Sequence, residues 1–323
     1  MQKELINDKE GICLFISFII GSSLIIGIGG DAKNDAWIAA IIGIIMAIPM
    51  FLIYTRILSL FQGQDLFDIL YITLGKPIGR IVALVYIVYA LHLGALVLRN
   101  FGEFTKTVAM PETPMFVPMF CLGVLGIIAV RLGIEVIGRT TTYFIPILLF
   151  ILIVVQLLGI PQLHLNYIKP ILGNGISPIL TGAFSSFSFP FAETVLFIGI
   201  FSSLKTKKSP FKVFSWGILI SGIIIIAVTI RNIGVLGNTL GNFYFPSYEA
   251  VSMINIGDFL QRIEISVSFV FIFGVFIKSS ICLLVASKGI SKMFNLHDYR
   301  SIVIQIGLLM IFWLILFMIV VWK

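Results

Sequence analysis

Nine apolar runs divide the chain, at roughly 11–30, 37–61, 79–100, 115–131, 143–160, 177–203, 211–230, 258–287 and 301–322. Each is close to or above the ~20 residues that an α-helix needs to cross a hydrocarbon core. The polar stretches between them are short, apart from 62–78, 161–176 and 231–257. That leaves no room for a soluble domain. The pattern predicts an all-α integral membrane protein, a single transmembrane domain over 1–323.

Two of the runs are interrupted. In the first, Gly21, Ser22 and Ser23 are followed by Gly27, Gly29 and Gly30. A glycine inside a helix costs about 1 kcal/mol against alanine, so this many glycines ask for a reason. The sixth reads GAFSSFSFPFAETVLFIGIF, with Ser185, Ser186 and Ser188 ahead of Pro190. Proline removes a backbone donor and clashes with the preceding turn, so a kink or unwinding is predicted near 187–190. Spans one and six correspond if the chain is two five-span repeats, about 11–160 and an incomplete 177–322. Paired breaks of this kind mark the binding site of transporter-type folds. Close helix packing is the competing reason for the same glycines.

Composition agrees with the pattern: 59% of residues are hydrophobic and 11% charged, against about 25% charged in a soluble domain. The net charge of +7 points to loops facing anionic lipid, with no nucleic acid implied. With the N-terminus in the cytoplasm, fourteen Lys and Arg fall on the inner side and seven on the outer, so the orientation is N-terminus in, with Lys323 out. The opening MQKELINDKEG is too polar for a cleaved signal peptide. Cys13, Cys121 and Cys282 lie inside apolar spans without a CxxC and read as packing residues. His92, His164 and His297 are far apart, and no HExxH, P-loop, GxGxxG or GxSxG occurs. The sequence therefore gives no sign of an enzyme, a metal or a cofactor.

Charge inside the membrane is the sharper signal. At 1.5 Å per residue, residues 21–23 lie about 18–21 Å beyond Lys9, Glu193 about 18 Å before Lys205, and Lys278 about 15 Å before Lys288. All fall near mid-depth. A charge there costs about 2.5–3.5 kcal/mol on insertion scales, so both must face the bundle interior, water, a ligand or each other. Glu264 counts to the outer interface, beside Arg262. Asp258 and Gln261 have capping-box spacing, and Asp258 can pair with Arg262, so the eighth segment is expected to start at Asp258. Arg131, Glu135 and Arg139, four apart, read as one solvated helix stripe.

Several segments together carry a resemblance: LNYIKPILGNGISPILTGAFSSFSFPFAE (165–193), RLGIEVIGR (131–139), FPSYEAVSMINIGDFLQRIE (245–264) and VFIKSSICLLVASKGISKMFNL (275–296). They resemble the spore germination permease family, the B subunits of GerA-type nutrient germinant receptors within the amino acid–polyamine–organocation superfamily. The resemblance implies a LeuT-like inverted-repeat bundle with broken helices one and six, in the inner membrane of an endospore. It implies a germinant-sensing subunit beside an A subunit and a C lipoprotein, with a small nutrient, often an amino acid, as ligand. Carried over, the pocket comprises Gly21, Ser22, Ser23 and Leu24 with Phe187, Ser188, Phe189, Pro190, Phe191 and Glu193. Glu193 and unwound carbonyls suit the ligand ammonium, and half-helix N-termini suit its carboxylate. In this fold the eighth helix packs near the first, where sodium-coupled relatives hold a cation, so Lys278 is expected as a fixed intramembrane cation. The family has ten spans and this chain shows nine, the tenth apparently missing. A proton-coupled amino-acid permease working through Glu193 is the alternative.

Overall fold

A computed structural model describes residues 4–254 and 262–321. Polar residues ahead of the first apolar run start it as a helix. Asn7 accepts from the Glu10 N–H while the Glu10 carboxylate accepts from the Asn7 N–H, a capping box. From there α1 runs Asp8–Ile26 without a break. Gly27 (φ 78°) and Gly29 (φ 65°) then adopt positive φ that other residues avoid. A 3₁₀ turn, Gly30–Asp35, leads into α2, Ala36–Leu60. The chain returns through α3, Leu66–Phe104, capped by Asp65 and turned at Gly75 (φ 74°). After α4, Phe116–Leu132, comes α5, Ile134–Leu158. Then α6, Ile176–Ser186, passes through a π turn, Phe187–Phe191, into a 3₁₀ helix, Ala192–Gly199. The remaining helices are α7, Ser209–Leu236; the short α8, Pro246–Ser252; α9, Glu264–Met293; and α10, Val303–Val321.

The nine predicted spans correspond in order to α1–α5, the interrupted sixth segment, α7, α9 and α10. Seven helical segments are long and apolar enough to cross a membrane, and α4 and Val303–Trp313 are shorter apolar helices. Among the described residues the β-type pairing is limited to one isolated parallel bridge, Ile6 with Leu204. The bundle is organised round α9, which packs on α1, α3, α4, α5, α8 and α10. No residue from 277 to 286 is more than 1% exposed. Large apolar side chains on α2, α3, α5 and α7, such as Leu52, Ile81, Phe150 and Ile223, stay exposed, as they must where the neighbour is hydrocarbon.

Several expectations change. The loop at 62–78 is mostly helix, because Asp65 caps α3 well before the apolar run starts. Arg131 does not share a helix with Glu135 and Arg139: Gly133 (φ 100°) ends α4 between them. Glu135 pairs with Arg139 at 3.4 Å and also accepts from the Leu5 N–H at 2.9 Å. Cys13 and Cys282 are buried but Cys121 is exposed on α4, so packing does not explain it. Described α9 starts at Glu264, which pairs with Arg262 at 3.5 Å. Asp258, Gln261 and Lys323, with the cap, pairing and start expected of them, lie outside the described residues.

Candidate functional site: a buried charge cluster below a polar cavity

The central site begins with two glycines. A Cβ on Gly21 would lie 2.6 Å from the Gly274 carbonyl carbon, and one on Gly274 would lie 2.1 Å from Gly21 Cα. Backbone therefore meets backbone where α1 crosses α9. Lys278 is one turn beyond Gly274 on the same face, and Ser22 is next to Gly21. The close crossing sets the Lys278 ammonium against the Ser22 hydroxyl, Nζ to Oγ 2.9 Å. Close packing, the competing reason for these glycines, is thus the one met at Gly21, and Gly21, Ser22 and Ser23 are all helical. Ser23 Oγ donates back to the Ile19 carbonyl at 2.5 Å, satisfied within its own helix. The predicted unwinding at these residues is not present. The break in this region falls later, at Gly27 and Gly29.

The sixth segment does break where Pro190 predicts. Phe189 leaves helical geometry (φ −129°, ψ 117°), and the following 3₁₀ helix presents Glu193. Glu193 forms an ion pair with Lys278. The rings of Phe18 and Phe189 lie 5.0 and 4.8 Å from Lys278 Nζ, within cation–π range. Lys278 is wholly buried and Glu193 is 8% exposed. Two charges that the sequence places separately at mid-depth therefore neutralise each other there. Removing one partner of such a pair typically costs about 3–5 kcal/mol.

Of the remaining residues assigned to the pocket, Leu24 is buried and its carbonyl accepts from Ser247. Pro190 and Phe191 are buried, Phe187 is half-buried and Ser188 is exposed. The structure thus gathers Ser22, Phe189, Glu193 and Lys278 at one point, with Gly21 making the approach possible. It does not bring Ser188 to them. His92 is an interior residue, its Nδ1 accepting from Trp313 Nε1 at 3.3 Å.

Above this cluster, at the end of the bundle away from the N-terminus, a cavity of about 760 Å³ opens. Phe189 lines it, together with the turn at residues 27–30, Lys33, Asn34, Thr229, Asn232 and the 237–243 turn. A Cβ on Gly29 would come within 3.0 Å of Ser186 Oγ, so this turn lies directly on the end of α6. One wall is braced by a buried polar chain. Arg231 NH2 donates to Asn232 Oδ1 at 2.8 Å, Asn232 Nδ2 to Ser247 Oγ at 2.8 Å, and Ser247 to the Leu24 carbonyl. Sequence reading missed these residues. The one available signal was the Gly- and Asn-rich composition of 231–257, which reads only as a loop.

The end carrying the N-terminus is tied down differently. The Glu4 carboxylate accepts from Tyr299 OH at 2.8 Å and Arg300 NH2 at 2.6 Å. Burial, then the Glu4 charge, pushes the Tyr299 phenol up. The Ile6 N–H donates to the Ser203 carbonyl at 3.0 Å, and Asp8 takes Ser209 Oγ at 2.5 Å and Lys212 at 3.2 Å. A second cavity of about 950 Å³ lies beside this strap.

Among solved structures the chain is similar to Mhp1, a nucleobase-cation-symport-1 family transporter in a closed conformation with bromovinylhydantoin bound. The TM-score is 0.65 at 13% identity, covering 97% of this chain and 72% of that one. It is similar also to MhsT in complex with L-phenylalanine, with TM-score 0.66, 14% identity and 96% and 79% coverage. These likenesses fix the fold as LeuT-like. In sequence it is 32% identical to spore germination protein KB of Bacillus subtilis (strain 168), over 95% of this chain and 84% of that one. It is 27% identical to spore germination protein A2 of the same organism, over 93% and 83%. With residues 5–320 matching the family described as "Spore germination protein", the chain belongs to the spore germination permease family.

Proposed function

We propose that this chain is the nutrient-sensing membrane subunit of a spore germination receptor, taking a small ligand such as an amino acid at the broken sixth helix. The observation that carries this reading is the continuity between the 760 Å³ cavity and the charge cluster. Phe189 belongs to both, lining the cavity while its ring stands over Lys278. A ligand entering from the cavity meets Phe189 and the turn at 27–30 first. Glu193, engaged by Lys278, supports the floor and is not a free acceptor for an ammonium. With the N-terminus cytoplasmic, the cavity opens to the outside of the inner spore membrane. An A subunit and a C lipoprotein complete the receptor in this reading.

The similarity to transporters with bound small molecules favours a second reading, an amino-acid permease. One pair of measurements separates them. In spores lacking the chain, the sensing reading expects a nutrient response that is lost and returns with the gene. In proteoliposomes holding the purified chain, it expects amino-acid binding without accumulation under a pH gradient. Accumulation supports the permease; an unimpaired germination response in the deletion overturns the sensing role.

A further inference from the structure

The cavity below the 237–243 turn has a lining of one sign. Among the described residues that line it, Lys33 is the one charged side chain, and none is a carboxylate. The remaining polar lining is neutral and rich in amides: Asn34, Asn232, Asn238 and Asn242. A second cation stands directly behind the wall. Arg231 is 3% exposed and spends Nε and NH2 on the Asn232 amide oxygen, at 3.3 and 2.8 Å. It has no carboxylate partner among the described residues. Neither acid of the α1–α2 turn lines the cavity. Asp35 is buried and accepts from the Leu172 N–H at 3.1 Å, and Asp31 is exposed and outside the lining.

The backbone at Lys33 is a further sign. Its φ of 51° lies in the left-handed region, which a long side chain rarely occupies unless its surroundings hold it there. The Asp35–Leu172 contact and the packing of Gly29 on Ser186 hold that turn from both sides. A recess whose charged lining is of one sign concentrates anions.

We propose that Lys33 is the anion-recognition residue of this cavity, and that the ligand carries a carboxylate, its other polar groups meeting the asparagine amides. This rests on the reading above that the cavity is the ligand site, and it narrows the ligand's chemistry. The recognition element becomes the carboxylate rather than the ammonium, because the acid that would have met an ammonium is paired with Lys278.

The test uses the purified full chain in lipid nanodiscs. The probes are the twenty common amino acids, their carboxamides, the corresponding deaminated carboxylic acids, and a set of neutral sugars and nucleosides. Binding is read by equilibrium dialysis and by the shift in melting temperature. Acids with a free carboxylate should bind, and their carboxamides should bind at least about tenfold more weakly. Lys33→Met should lose about tenfold or more, and Lys33→Arg should keep affinity within about threefold, both with unchanged unliganded melting temperature. Carboxamides binding as well as their parents, or an unaffected Lys33→Met, overturn the assignment while leaving the cavity as the site. Binding confined to sugars or nucleosides overturns it in the same way. No binding by any probe contradicts both this inference and the sensing reading. Should Lys33→Met melt early, the carboxamide comparison on the unaltered chain decides.

Discussion

Gly21 stands where α1 crosses α9 with backbone against backbone. Its neighbourhood reads as a break, yet the missing side chain is needed because Gly274 backbone lies where a Cβ would stand, 2.6 Å away. Gly21→Ala should therefore separate α1 from α9 and destabilise the chain by about 1–3 kcal/mol, the usual cost of overpacking. Thermal unfolding of the full chain in detergent measures it. An Ala variant as stable as the parent would contradict the close crossing. The same crossing delivers Lys278 to Ser22 and Glu193. Glu193→Gln and Lys278→Met should each lower stability by about 3–5 kcal/mol, whereas the double variant should recover most of that loss. Additive losses would mean the two charges do not serve each other. Rise-per-residue counting placed both charges at one depth, and the structure joins them. It could not tell an unwound glycine from a packed one, since both leave the same letter in the sequence.

At the scale of elements, α1 and the sixth segment behave differently despite corresponding positions. Pro190 lacks the donor that a continuing helix needs, so that break was legible from one residue. The first helix carries no such chemical veto, and Ser22 and Ser23 are accommodated inside it. Amide hydrogen exchange should then show residues 18–25 protected as strongly as the middle of α9, and the stretch 187–191 exchanging faster. Fast exchange at 21–23 would place a break there as well as at Gly27 and Gly29. The cap at Asn7 sets where that helix begins. Asn7→Ala should cost about 1 kcal/mol in the same unfolding experiment. The cavity-lining turns were least legible. Asn238 and Asn242 line one cavity with the α1–α2 turn, a proximity that no local pattern records.

For the whole molecule, nine apolar segments and their order were readable because each must satisfy its backbone within itself in a bilayer. The fold resembles transporters, but its centre holds an ammonium fixed to the chain. Replacing sodium with potassium at constant ionic strength should leave ligand binding unchanged, and a strict sodium requirement would contradict the role given to Lys278. The cavity lined by Asn238 and floored by Phe189 is proposed as the place where the nutrient acts. The most direct measurement is equilibrium binding of the amino-acid panel to the purified full chain, with and without Asn238→Trp. Asn238 sits exposed at the cavity lining, so a bulky ring there obstructs entry without disturbing the core. Affinity should fall about tenfold or more, with no fall in the unliganded melting temperature. Undiminished binding in a folded Asn238→Trp chain would place the ligand elsewhere.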